Sequence, residues 1–295
     1  MPDPYFSVVI PTYNRASFIR EAVQSVLRQS YRNFEVIVVD DGSTDSTESV
    51  VQSVQDTRLR YFRKLNGERG AARNFGVREA RGTYVTFLDS DDTVYPHHLQ
   101  TAYDFLQHQT VEFCHLGFDM KDTKGNVLRE SSNLVNINRN ILSGNVLSCN
   151  GVFVQKSVLL QNPFSEDRAL SSLEDWELWI RLGARYTIYS VAGITSTIIH
   201  HEERSVVSGN PAAIETKVDH FISAVTQDPV NQKQYGEKLR WTAASAHTYA
   251  ALHLKLANAS RASVGYHFSM ALKLQPGILF TRRSAVIILM MLGIK

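Results

Sequence analysis

Little in this sequence points to specialised chemistry through composition. Cys114 and Cys149 are the only two cysteines in 295 residues. That is too few for a disulfide framework and does not match a zinc site, so both are read as reduced thiols. Neither sign of charge dominates, since 31 basic and 29 acidic residues leave a net charge of +2. Base-contacting signatures are also missing, which removes nucleic acid from the expected partners. No window reaches the roughly 20 apolar residues that a membrane-spanning helix needs. The N-terminal Met1-Pro2-Asp3-Pro4-Tyr5 has neither the basic nor the apolar region of a secretory signal. A cytoplasmic protein is therefore expected. With 43% hydrophobic and 20% charged residues, the chain has the balance of an ordinary globular protein. Its length suggests about two domains.

The informative stretch is Tyr84-Val85-Thr86-Phe87-Leu88-Asp89-Ser90-Asp91-Asp92. An apolar, β-prone run feeds into three carboxylates. A buried strand that presents oxygen ligands at its carboxyl edge can hold a hard divalent cation, and the cation a phosphate. Taken alone, the same acids could equally form a polar turn that caps the next helix.

The surrounding chain favours the first reading. Ser7-Val8-Val9-Ile10 reads as a strand buried on both faces and stopped by Pro11. Phe18, Ile19, Ala22, Val23, Val26 and Leu27 recur with helical period. A second strand over 34–39 ends in Asp40-Asp41-Gly42-Ser43-Thr44-Asp45, whose cap-rich residues open a helix to about Val54. Leu59-Arg60-Tyr61-Phe62 is a third strand, followed by Asn66-Gly67-Glu68-Arg69-Gly70 and a helix over 71–77. Strand, loop and helix thus alternate up to the acidic run, which predicts a parallel sheet with helices on both faces. Ligands bind such sheets at the carboxyl ends of the strands. The loops at 11–15, 40–45, 66–74 and 89–92 are therefore expected to converge.

Further on, the pattern predicts a helix over 96–108, a strand over 111–120, a polar turn over 121–126 and a variable loop over 133–150. Gly151-Val152-Phe153-Val154 reads as a strand, and Leu173 to Ile180 as an amphipathic helix with Glu174 and Asp175 in its first turn. Two strands are expected, over 186–191 and 194–199, followed by His200 and His201. His97 and His98 read as ordinary polar residues. Composition changes near Gly209-Asn210-Pro211, taken as a domain boundary. The remainder is Ala-rich and helical, with one tetratricopeptide-like hairpin ending at Pro276 and no repeat array. Arg282-Arg283 ahead of the apolar run 285–292 fits peripheral membrane contact, and packing on the main domain fits it equally well.

Taken in order, these motifs resemble those of the family 2 glycosyltransferases, which have the GT-A fold. The matching pieces are Val8 to Arg15, Val38 to Asp45, Ala72-Arg73-Asn74-Phe75-Gly76, Leu88-Asp89-Ser90-Asp91-Asp92 and Glu174-Asp175. They span about the first 205 residues. The resemblance implies an α/β, Rossmann-like, mostly parallel sheet with helices on both faces over 1–208. A C-terminal α-helical extension over 209–295 would follow. It also implies inverting, metal-dependent transfer of a sugar from a nucleotide donor, expected to be a UDP-sugar. The acceptor would be a hydroxyl of a glycan, lipid-linked or protein-linked molecule.

Residue by residue, the resemblance makes Asp41 the acceptor for the uracil N–H, a role suited to an acceptor-only carboxylate. Asp40 could instead supply the turn. Pro11, Thr12, Tyr13, Arg15, Gly70, Arg73, Asp89 and Ser90 complete the implied donor site. Asp89 and Asp91 resemble the Asp-x-Asp motif that binds Mn²⁺ or Mg²⁺, with Asp91 the direct ligand, and Asp92 reads as the cap of the next helix. A histidine after the last strand, His201 or the adjacent His200, joins the metal site. Asp175 resembles the catalytic base, and Trp176 and Trp179 read as core. Two other readings stay open at this stage. One is a non-catalytic nucleotide-sugar-binding scaffold. The other is a sugar-phosphate nucleotidyltransferase, which would need a Gly-rich basic loop where this chain has Pro11 to Arg15. The donor sugar, the linkage and the oligomeric state are not legible.

Overall fold

The computed structural model describes residues 3–201 and 210–294. By contacts the chain divides into two compact units. The first comprises Met1–Ile137, Leu147–Arg168 and Tyr186–His201, and the second Asn138–Val146, Ala169–Arg185 and Glu202–Lys295. The sequence-based boundary at 208/209 lies outside the described residues.

The first unit is built on one sheet. Its strands are β1 (Phe6–Thr12), β2 (Phe34–Asp40), β3 (Leu59–Arg63), β4 (Tyr84–Phe87), β5 (Thr93–Val94), β6 (Phe113–Asp122), β7 (Val127–Ser131), β8 (Val152–Gln155) and β9 (Ile188–His200). They run in the order β3-β2-β1-β4-β8-β6-β9-β5, with β7 added beside β6. The half formed by β3, β2, β1 and β4 is parallel, as the strand–loop–helix alternation predicts. The other half is mixed, because β8 runs antiparallel to both β4 and β6 while β6 and β9 are parallel. Every residue of β1 and β2 is buried, as expected of strands covered on both faces.

Helices α1 (Ile19–Leu27), α2 (Thr47–Gln52), α3 (Glu68–Glu79) and α4 (His98–Leu106) follow the strands. Ile19, Ala22, Val23 and Val26 of α1 join Phe6, Val8 and Ile10 of β1 in one core cluster. On the opposite face α3 comes close to β1, since a Cβ on Gly76 would lie 2.3 Å from Val9 Cγ1. A one-turn helix, α5 (Ile137–Asn140), and α6 (Lys156–Gln161) flank β8 in sequence.

Three sequence expectations change here. Pro11 does not stop β1, which runs on to Thr12. Val9 O accepts from Leu88 N, and Pro11, two residues on, faces the same side, where β4 has ended at Phe87 opposite Val9. The missing N–H of proline is therefore not needed. The two strands expected between 186 and 199 are one strand, β9, whose register against β6 shifts around Gly117. His98 is a core residue, 2% exposed, with Nδ1 2.8 Å from Thr195 Oγ1 and its ring against Phe153. Burial pulls its pKa down to about 3, so it stays neutral.

The second unit is helical: α7 (Glu174–Gly183), α8 (Pro211–Gln227), α9 (Pro229–Tyr235), α10 (Leu239–Leu256), α11 (Arg261–Leu274) and α12 (Arg282–Met291). Trp176 on α7 stacks on Phe221 of α8 at 4.4 Å, and its indole N–H donates to Ile141 O. Both Trp176 and Trp179 are buried, as expected of core residues. The α10–α11 hairpin is the one suggested by the tetratricopeptide-like pattern. Ser260 caps α11 by accepting from Ser263 N.

Candidate active site

The polar loops at the carboxyl ends of β1, β2 and β4 are tied to one another. Thr12 O accepts from Asp41 N at 2.8 Å, which extends the pairing of β1 and β2 past the last residue of β2. Asn14 N donates to Ser43 Oγ, and Thr44 N donates back to Asn14 Oδ1 at 2.8 Å. Arg15 N donates to Thr47 Oγ1 and Ala16 N to Asp45 Oδ2. These bonds fix the loop carrying Tyr13 and Arg15 against the loop carrying Asp41. Tyr13 is 47% exposed, so its ring is open to a ligand, whereas Thr12 is buried. Thr12 Oγ1 has no hydrogen-bond partner among the described residues.

Asp40 and Asp41 do different work. Asp40 Oδ1 accepts from Ser43 N at 2.7 Å, which closes the turn, and Oδ2 accepts from the Tyr61 hydroxyl. Burial, helped by that carboxylate, pushes the Tyr61 hydroxyl upward. Gly42 has φ +87°, a conformation that the turn can assign only to glycine at low cost. Asp41 is 4% exposed. Its oxygens accept from Lys64 Nζ at 2.7 Å, Asn66 Nδ2 at 3.1 Å and Gly67 N at 3.0 Å. Gly67 is the N-cap of α3, so this carboxylate also faces a helix N-terminus. A carboxylate offers about four lone-pair sites. Gly67 N also reaches the second oxygen, at 3.2 Å, so each oxygen of Asp41 already accepts two hydrogen bonds.

Helix α3 delivers Arg73, which is 2% exposed and donates from Nη2 to Asp89 Oδ1 at 2.9 Å. Its guanidinium lies 5.3 Å from the centre of the Phe164 ring. The next residue, Asn74, holds the Phe164 segment by accepting from Phe164 N and donating to Phe164 O and Glu166 Oε1. Gly70 permits this approach, because a Cβ there would meet Ser165 O at 2.2 Å. Gly70→Ala is accordingly expected to cost about 1–3 kcal/mol, visible as a drop of several degrees in thermal midpoint. An unchanged midpoint would show that the 165 segment yields freely.

The acidic loop joins this group. Asp91 Oδ2 is 3.1 Å from His201 Nε2 and 3.8 Å from Arg15 Nε. His201 is 8% exposed and its ring stacks on Phe18 at 4.7 Å. The adjacent His200, the last residue of β9, is exposed. Of the two adjacent histidines, His201 is the one brought to Asp91. His201 Nδ1 is buried with no hydrogen-bond partner among the described residues. Ser90 is buried beside them in sequence.

Asp92 does not cap a helix. It precedes β5, and α4 starts only at His98. The side chain is 1% exposed, accepts from Asn150 Nδ2 at 2.9 Å and, through Oδ1, from Ile199 N at 2.9 Å. Asn150 Oδ1 in turn accepts from Asp89 N at 3.2 Å. Asn150 thus grips the acidic loop at both ends, and Asp92 ties that loop to the strand leading into His201. Neither role has a sequence signal, nor do those of Lys64 and Asn66. The segment expected to be variable ends in this buried asparagine.

Among the described residues, no three His, Cys, Asp or Glu side chains are grouped as a complete metal cage. One carboxylate and one imidazole meet at 3.1 Å, however, with the other ring nitrogen unmatched. A divalent ion that takes one or two protein ligands and completes its shell from phosphate oxygens and water fits that donor set.

Asp175 lies in the second unit, in the first turn of α7. Its Oδ2 accepts from Asn145 Nδ2 at 2.8 Å and its Oδ1 from Trp176 N at 2.7 Å. Burial, with Asp175 and Glu174 adding to it, pushes the Tyr249 hydroxyl up to about 12. Tyr249 is therefore a neutral phenol. Glu174 is 3% exposed, which leaves Asp175 the more accessible acid of the pair.

A family model described as Glycosyl transferase family 2 matches residues 7–155, half of the chain. The chain belongs to glycosyltransferase family 2. An uncharacterized glycosyltransferase of Rickettsia felis is 33% identical over 196 residues, covering 63% of this chain and 31% of the relative. Another from Rickettsia typhi is 31% identical over 198 residues, 63% of this chain and 61% of that protein. The match thus spans from under a third to about three fifths of these relatives' lengths. Among solved structures, Staphylococcus aureus TarS 1–349 in complex with UDP-GlcNAc superposes with TM-score 0.63 at 18% identity, covering 92% of both chains. The mannosyltransferase PcManGT from Pyrobaculum calidifontis, in complex with GDP-Man and Mn²⁺, gives 0.57 at 19% identity, covering 99% of this chain and 87% of that one. These likenesses bear out the expected GT-A-like α/β fold and the C-terminal helical region of this family 2 member.

Proposed function

We propose that this family 2 protein transfers a hexosyl group, with inversion, from a UDP-sugar to an acceptor hydroxyl, using Mn²⁺ or Mg²⁺. The observation that carries the reading is the partly buried pair of Asp91 and His201 at 3.1 Å, with Arg15 and the Arg73–Asp89 ion pair in the same loop cluster.

In this reading the uracil ring lies against the exposed face of Tyr13, beside Pro11 and Thr12. Its N–H donates to Asp41 in place of one of the donors that hold this carboxylate in the free protein. Arg73 and Arg15 place their guanidinium groups on the diphosphate, and the small side chains of Gly70 and Ser90 leave it room. Asp91, His201 and Asp89 would hold the divalent ion, which when bound offsets the charge growing on the leaving diphosphate. Asp175 takes the proton of the acceptor hydroxyl. The hydroxyl oxygen then bonds to the anomeric carbon, and the bond from that carbon to the diphosphate oxygen breaks, its electron pair leaving with UDP. Base and leaving group on opposite sides of the sugar give inversion. The acceptor is a glycan, lipid-linked or protein-linked hydroxyl. A cytoplasmic protein with its basic, apolar C-terminal helices at the inner membrane face would meet lipid-linked acceptors there.

Thermal stabilisation by a panel of nucleotide sugars, UDP-GlcNAc and GDP-mannose included, tests this with and without Mn²⁺. A UDP-sugar is expected to raise the midpoint by mass action, and only with metal present. Stabilisation that ignores the metal would overturn the assignment of Asp91 and His201. Stabilisation by GDP-mannose alone would overturn that of Asp41.

A further inference from the structure

Residues 238–295 hold eight Lys and Arg and no Asp or Glu. In a chain of net charge +2, the remaining residues therefore carry −6. Among the described residues, five of these cations, Lys238, Arg240, Arg261, Lys273 and Arg282, are exposed. Arg283 has another task. It donates to Ser245 O at 3.1 Å and Thr248 Oγ1 at 3.3 Å, which holds α12 on α10.

Helix α12 is seated through Ser284 and Ile287, both buried. Its other side would ordinarily be polar, and here it is not. Val286 and Leu289 are each 44% exposed, and Leu292, just past the helix, is 68% exposed. Their three-residue spacing puts them on one side of the helix, with Arg282 four residues ahead of Val286 on the same side. In the turn that leads into the helix, Phe280 is 90% exposed and Leu279 is 42% exposed. No helix of the described residues is long and apolar enough to cross a membrane.

Cations, an exposed aromatic ring and an apolar helix side that the protein leaves uncovered are what an interfacial helix needs at an anionic surface. We infer that α12 and the turn before it dock in the plane of an anionic lipid bilayer. Phe280, Val286, Leu289 and Leu292 enter the boundary between headgroups and acyl chains. Arg282 keeps its guanidinium among the phosphates while its stem covers apolar surface. A second copy of the chain is the other occupant an apolar face could take, and charge argues against it. A two-fold contact would bring two segments that lack any acid face to face. The inference gives the membrane contact its lipid class and its residues, and it does not depend on sugar transfer.

Flotation of the full chain with vesicles of phosphatidylcholine mixed with phosphatidylglycerol, against phosphatidylcholine alone, tests it. Binding to the mixed vesicles is expected to be at least about tenfold tighter and to weaken as salt is raised. Phe280→Glu with Leu289→Glu should remove about tenfold or more of that binding. So should Lys273→Glu with Arg282→Glu, which leaves the apolar residues in place. Equal binding to both vesicle types, or none, would overturn the inference, as would variants that bind like the parent. Self-association without vesicles that Leu289→Glu abolishes would assign the face to a second copy. The metal-dependent thermal shift with a UDP-sugar is measured on the same variants. A retained shift with lost flotation separates failure at the membrane face from failure of the donor site.

Discussion

Asp91→Ala is expected to lower turnover about 10²–10³-fold, the scale of removing one preorganised electrostatic contact to a developing charge. The loss should fall on kcat and on the Mn²⁺ concentration that half-activates the enzyme, with the donor KM changing less. Asp91 touches both His201 and Arg15, so its removal also leaves two cationic or polar groups without their carboxylate. Asp91→Asn separates the two effects. The amide keeps the shape and a carbonyl oxygen for Arg15 but gives up the negative charge. If the charge matters for holding the ion, Asp91→Asn behaves like Asp91→Ala in the metal titration, while its thermal midpoint stays near that of the parent. His201→Gln should shift the metal titration in the same direction and by less, since one neutral ligand is replaced by a weaker one. A metal-activation curve unchanged in Asp91→Asn and His201→Gln would remove this pair from the site. The Arg73–Asp89 pair would then be the remaining candidate for contact with the diphosphate.

How far this site could be read beforehand follows from the range of the contacts involved. The acidic loop, the Asp40–Asp41 turn and the helices after each strand were legible because their determinants are local. Apolar runs of one strand length, turn residues at fixed offsets and helical periodicity all act within a few residues. The contacts that fix the side chains span much longer separations. Asp41 is held from 23 to 26 residues away by Lys64, Asn66 and Gly67. Asn150 reaches Asp92 across 58 residues and Asp89 across 61. No local pattern marks such partners. The same reason explains Asp92, which has the composition of a cap yet sits buried because Asn150 and Ile199 satisfy it. The same holds for His98, whose partner Thr195 lies 97 residues on. A polar side chain can be buried wherever tertiary structure supplies a hydrogen bond, and periodicity does not register that supply. The resemblance to family 2 points to Asp41, Arg73 and Asp91 as candidates, but not to what holds each in place.

Asp175→Asn is expected to reduce kcat by about 10²–10⁴-fold, the usual contribution of a positioned general base, with donor binding unaffected. The environment of the side chain makes this a clean substitution. Oδ1 accepts from Trp176 N, and an amide oxygen can do the same. Oδ2 accepts from Asn145 Nδ2, and an amide NH₂ in its place can be met by rotating the Asn145 amide to present its oxygen. The fold around α7 therefore survives while the proton acceptor is lost. Asp175→Glu keeps the acceptor but lengthens the side chain by one methylene. Displacing a reacting group by about 1 Å can cost on the order of 10²-fold, so this variant should fall between the parent and Asp175→Asn. Both variants should retain the metal-dependent thermal shift with a UDP-sugar. That combination, donor bound and product absent, distinguishes a transferase from a protein that only binds nucleotide sugars. If Asp175→Asn turns over like the parent, proton removal belongs to another group and the base assignment fails. If the parent binds donor yet transfers nothing to any glycan, lipid-linked or protein-linked acceptor, the non-catalytic reading takes its place.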